Sequence, residues 1–190
     1  MTKPRDHALR GTFLILFMER FMLSQLPFFA SIAFGFISWG ILTARYIWPT
    51  LRILPRPDAL APVLVLHSFR FIGWAFMVPG VVSPDLPSAF AQSAARGDVI
   101  AAALALLSLL LLQSRAGVVV VWIFNLWGTF DLLNAFYQAN RGGLVPGQLG
   151  AMYFVPTVIV PLLLITHGLV FRILLQRRGE RPMRESRLPA

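Results

Sequence analysis

A single carboxylate inside a long apolar run constrains this chain most. Residues 118–137 are almost wholly hydrophobic, yet Asp131 stands among them with Asn125 and Asn134 close by. Ionisable groups at membrane depth are costly and turn toward a partner, a cavity or a pathway. A run of that length is long enough to cross a bilayer as a helix. The fold it predicts is therefore an all-α transmembrane bundle with a polar interior.

Composition supports that reading. The chain has 190 residues, of which 57% are hydrophobic, and the apolar residues gather into long stretches. Soluble domains sit nearer 45–50% apolar. The formal net charge is +9. On a soluble domain that would point to nucleic acid, but here the arginines collect at span ends and in the tails. Arg172, Arg177, Arg178, Arg181, Arg184 and Arg187 form the largest group. Such clusters set topology and favour anionic lipid headgroups. The expected partners are the bilayer itself and a second copy or another membrane protein, not nucleic acid. Cysteine is absent, which excludes disulfides, thiolate catalysis and cysteine-ligated metal centres.

Five spans are predicted within a membrane domain at 21–171. A basic lead-in occupies 1–20 and a basic tail 172–190. The spans run 21–44, 60–78, 98–112, 118–137 and 151–171. Pro55, Pro57 and Pro62 mark 51–61 as a loop, since proline lacks the helix donor. The stretch 81–97 reads as a loop with a short interfacial helix at 87–95, and Asp98 as the N-cap of the third span. Ser31 with Gly35, Gly40 with Ala44, and Ala101 with Ala105 have the four-residue spacing of closely packed membrane helices. Pro156 and Pro161 should bend the last span and free backbone carbonyls. The basic counts predict an uncleaved inner-membrane protein with a cytoplasmic C-terminus.

Three groups could carry chemistry. On the fourth span, Asn125, Gly128, Asp131, Asn134 and Gln138 recur at intervals near a helical period. On the second, His67 and Arg70 share a face that Gly73, Trp74 and Met77 continue. An unpaired Arg70 in hydrocarbon would cost at least ~2.5 kcal/mol, so pairing with Asp131 is the economical expectation. On the fifth, His167 lies beside Thr166. Asp131, Arg70, Asn134, Asn125, His67 and His167 are thus the candidate substrate or proton site. No cofactor is expected from a motif, although His67 and His167 could together hold haem or a metal. Serine-nucleophile and phosphate-loop patterns are missing. Asp85 and Asp98 read as ordinary turn and cap residues.

The stretches LHSFRFIGWAFMVPGV (66–81), LPSAFAQSAARGD (86–98), NLWGTFDLLNAFYQAN (125–140) and YFVPTVIVPLLLITHGLVFRIL (153–174) resemble small bacterial multi-pass membrane proteins of uncharacterised activity. That resemblance implies a membrane bundle and no particular chemistry. Three functions stay open: moving or sensing a small solute or protons, acting as a non-catalytic accessory or scaffold protein, and a haem- or metal-bearing redox role.

Overall fold

The apolar runs form five long helices in a computed structural model that describes residues 25–176. They are α1 (Gln25–Leu51), α2 (Arg56–Met77), α3 (Ser88–Leu111), α4 (Gly117–Arg141) and α5 (Val155–Leu175). Among the described residues there is no strand. Each of the five is long and apolar enough to cross a membrane. The outward surface carries many large hydrophobic side chains, including Phe34, Phe69, Trp74, Leu110 and Phe130. Water would penalise that surface, whereas acyl chains accept it. Five such helices are compatible with a multi-pass membrane protein. The basic lead-in and the arginines from 177 onward lie outside the described residues.

Small residues decide how the helices pack. The buried face of α3 is alanine-rich: Ala91, Ala94, Ala95, Ala101, Ala102 and Ala105, with Ser108. That face lets α3 lie close to α2 and α4, its main neighbours. At one end, Leu60, Leu64, Val121, Phe124, Val170 and Ile173 form the apolar core. The spacing read for Gly35 has a physical counterpart, since it lies against the backbone of Thr157 and against Pro161. Gly40 meets nothing within 4 Å.

Several boundaries differ from the sequence reading. The first helix ends at Leu51 rather than 44, passing through a π-helical turn at Thr43–Ile47. The second begins at Arg56, inside the expected 51–61 loop. Pro55 precedes the helix and Pro57 sits in its first turn, where a missing N–H costs nothing. Pro62 is tolerated because the carbonyl it leaves free, that of Asp58, belongs to an exposed residue near the helix start. The third helix begins at Ser88, so the supposed interfacial helix and the third span are one element. The fourth extends to Arg141. The fifth begins at Val155 and reaches Leu175, with a short 3-10 segment at Pro146–Tyr153 before it. Arg172 is therefore helical rather than part of a tail, and its guanidinium stacks on Trp48 at 3.9 Å.

A π-helical turn spans Val155–Ile159 around Pro156. One carbonyl of this turn, Val158 O, accepts a bond from Trp39 Nε1 at 3.0 Å, which ties α1 to α5.

The unusual element is the second half of α2. From Phe69 to Met77 it winds as a 3-10 helix. Such runs rarely exceed three or four residues, and residues three apart eclipse one another. Arg70, Gly73 and Phe76 are its buried residues, a column of period three that continues from His67. The face is not continued by Trp74 and Met77, which are exposed. A period near 3.6 would have carried the stripe toward them, whereas a period of three does not.

Candidate functional site

Helix lengths set the depth of the charges. Arg70 lies fourteen residues beyond the start of α2 at Arg56, and Asp131 fourteen beyond the start of α4 at Gly117. At about 1.5 Å per residue both would stand about 21 Å from those ends. The earlier helix start thus brings the two groups level.

They meet. Arg70 Nη2 donates to Asp131 Oδ2 at 2.7 Å. The same guanidinium holds Asp98: Nε donates to Asp98 Oδ1 at 2.8 Å, and Nη2 lies 2.7 Å from that oxygen. Arg70 Nη1 donates to the Gly128 carbonyl at 3.3 Å. The cation is thereby bonded at all three nitrogens and spans α2, α3 and α4. Charge-assisted bonds of this kind are short and strong.

Asp98 corrects the sequence reading. It is not an N-cap but lies ten residues inside α3, with a half-buried side chain in the ion cluster. The stretch 88–97 is polar and alanine-rich, so no apolar run joined the expected short helix at 87–95 to the third span. The available signal was the absence of any breaker stronger than Gly97 between Ser88 and Leu111.

Two glycines make the cluster possible. A Cβ at Gly97 would collide with the carboxylate of Asp131, and one at Gly73 with the carboxylate of Asp98. Each carboxylate therefore packs directly on a neighbouring helix backbone. Trp127 Nε1, one turn before Asp131, donates to the Gly97 carbonyl at 3.4 Å, which pins α4 to the same point of α3.

The other candidates form a second cluster. His167 and Asn125 pair through Nδ1 and Oδ1 at 2.7 Å, and Asn125 Nδ2 donates to the His167 carbonyl at 3.3 Å. His67 Nε2 lies 2.9 Å from Thr166 Oγ1. The Thr166 hydroxyl gives its hydrogen to the carbonyls of Leu162 or Leu163, so it accepts from His67 Nε2–H. Likewise Asn125 Oδ1 can only accept, so His167 Nδ1 carries the hydrogen. The remaining nitrogens, His67 Nδ1 and His167 Nε2, are buried without a hydrogen-bond partner. The two rings lie 4.2 Å apart between centroids. That is ring contact, with no gap in which a planar macrocycle could lie between them. Among the described residues no group of three or more His, Asp or Glu is arranged to hold a metal ion.

Asn134 joins neither cluster. It is half-buried and lines a separate groove with Phe90, Gln138 and Arg141. Gln138 instead donates to Ser93 Oγ at 2.9 Å, an α4–α3 tie.

The charged cluster borders two cavities. A cavity of about 210 Å³ is lined by Asp98 and Asp131 together with Phe28, Phe76, Phe90 and Phe136. A second, of about 200 Å³, is lined by Arg70, Gly73, Asp98 and apolar residues of α2 and α5. Asp98, Leu132, Val155 and Val160 form part of both walls. Exposure within the cluster is uneven. The Arg70 side chain keeps 1% of its accessible surface, whereas Asp98 keeps 13% and Asp131 10%. The open side of the cluster is anionic.

The family model of a domain of unknown function, DUF8737, matches residues 7–175. No curated protein and no solved structure matches the chain.

Proposed function

We propose that this chain, which belongs to the DUF8737 family, exchanges protons or a small cationic solute at the Arg70–Asp98–Asp131 cluster within the bilayer. One observation carries the reading. The residual exposure of the cluster belongs to its two carboxylates, which line a cavity, and not to the guanidinium. A brace built only for packing would be closed on every side. Two carboxylates facing one guanidinium also leave one negative charge over. In a low-dielectric interior that excess favours an added proton or cation.

The basic residues support an inner-membrane location with Arg45, Arg52, Arg56, Arg115 and the C-terminal end on the cytoplasmic side. Arg56 Nη2 donates to the Gln176 carbonyl at 3.0 Å, so the start of α2 and the end of α5 share that side.

A second reading, an accessory or scaffold protein, is favoured by the complete bonding of Arg70, which is also what a structural brace requires. Reconstitution separates the two. Sealed vesicles carrying the protein and an internal pH indicator should equilibrate an imposed pH gradient faster than empty vesicles. Asp131→Asn and Asp98→Asn should each remove the difference while the variants stay folded and monodisperse. Wild-type vesicles as tight as empty ones would leave the scaffold reading standing.

A further inference from the structure

The cavity that meets the two carboxylates has a definite chemistry. Its walls are apolar and rich in phenyl rings, from Phe28 and Phe29 on α1, Phe76 on α2, Phe90 on α3 and Phe136 on α4. The charged groups among its lining residues are Asp98 and Asp131. Asp98 Oδ1 and Asp131 Oδ2 hold Arg70. The other oxygens of the two carboxylates take no hydrogen bond from the described residues.

We infer that this cavity binds a lipophilic organic monocation, with its apolar body among the phenyl rings and its charged head on Asp98 and Asp131. The inference rests on the reading above and names the class of solute. Each part of the site selects for it. An anion in this cavity would face the two carboxylates, whereas Arg70 is not among its lining residues and borders only the second cavity. A neutral apolar molecule would leave the excess negative charge unmatched. An inorganic cation would have to shed water into a chamber offering few oxygens. Aromatic faces attract a desolvated organic cation as well as its apolar part.

Depth separates a free solute from a lipid headgroup. Asp98 lies ten residues from the start of α3 and Asp131 ten from the end of α4, about 15 Å inward at about 1.5 Å per residue. A phospholipid amine held at the interface does not reach that level. The route in is beside α1. Only 6% of the residues in its apolar stretch are buried, against 33% or more in the other four helices. Phe28, Phe29 and Ile32 of this lightly packed helix form one wall of the chamber, between it and the surrounding lipid.

A charge series on one molecular body tests the inference. Phenylpropylamine, phenylpropanol and phenylpropanoate would be titrated at neutral pH into the full chain in nanodiscs, with empty nanodiscs subtracted. The amine should bind at least about tenfold more tightly than the alcohol, the ratio that a charge-assisted hydrogen bond supplies. The carboxylate should not bind measurably. Asp131→Asn should bring the amine down to the level of the alcohol, and Phe136→Ala should weaken both. If Asp131→Asn does not fold, the wild-type series decides alone. Equal binding of amine and alcohol, or tighter binding of the carboxylate, overturns the inference. Nanodiscs containing phosphatidylethanolamine in place of phosphatidylcholine should leave amine affinity unchanged, and strong competition would instead assign the site to a headgroup. Amine binding without any flux in vesicles would refute the exchange reading and keep the cation site. Proton flux with no amine binding would do the reverse.

Discussion

The bundle holds two polar clusters a few ångströms apart, and they are built on opposite terms. His67, Thr166, Asn125 and His167 are at most 2% exposed, border neither cavity that flanks the cluster of Arg70 and the two carboxylates, and bond to one another across helices. Arg70, Asp98 and Asp131 are ionisable groups, two acids against one base, and the carboxyl groups reach an apolar chamber. Both clusters tie helices together. Only the second presents an unbalanced charge to a space that a solute can occupy. Polarity inside a membrane bundle is therefore not one signal: closure and charge balance separate the two clusters.

Five substitutions break or sharpen that contrast. Arg70→Leu should be the most damaging, because it strands two carboxylates. Removing one side of a buried pair costs about 3–5 kcal/mol, which thermal unfolding in detergent would register as a large drop in midpoint. A small drop would mean the carboxylates have an alternative partner. Gly97→Ala comes next. The added methyl must displace the Asp131 carboxylate or push α3 from α4, an overpacking cost of about 1–3 kcal/mol, and it should also slow pH equilibration in vesicles. The matching change Gly40→Ala meets open space and should leave both measurements unchanged.

Asn125→Leu tests the closed cluster. It removes the acceptor of His167 Nδ1–H, at a cost of about 1–3 kcal/mol for an unsatisfied buried group. Vesicle flux per folded molecule should stay at the wild-type value, and its loss would place the histidines in the exchange pathway. Within the two clusters, Asp131→Asn should perturb stability least. The amide keeps an acceptor for Arg70, and Asp98 alone now balances the guanidinium. A change of less than about 1 kcal/mol is expected, with flux abolished. A stability loss as large as that of Arg70→Leu would make Asp131 chiefly a structural partner.

Much of this arrangement was legible from residue order, and the failures have physical causes. Arg70 and Asp131 stood out because charge in an apolar run demands a partner, and the pair forms. His67, His167 and Asn125 stood out on the same ground, and they meet one another. Asp98 was hidden because helix α3 starts in a polar, alanine-rich stretch that hydropathy does not register. Asn134 was placed on the stripe because steps of three and four residues each look acceptable. At about 100° per residue, nine residues from Asn125 put it about half a turn away. The 3-10 winding of α2 was out of reach, since the sequence Phe69–Met77 fits an ordinary helix, and only packing against α3 reveals the column of period three.

That winding also sets how far α2 reaches. It has 22 residues, fewer than the 24 of α3 and the 25 of α4. A 3-10 turn climbs about 2.0 Å per residue instead of about 1.5 Å, so nine such residues add about 4–5 Å. Stretched this way, the shorter helix attains about 37 Å, close to the length of α4 at about 1.5 Å per residue. Two helices of unequal residue count, α2 and α4, thereby reach one length, the quantity that bilayer thickness selects.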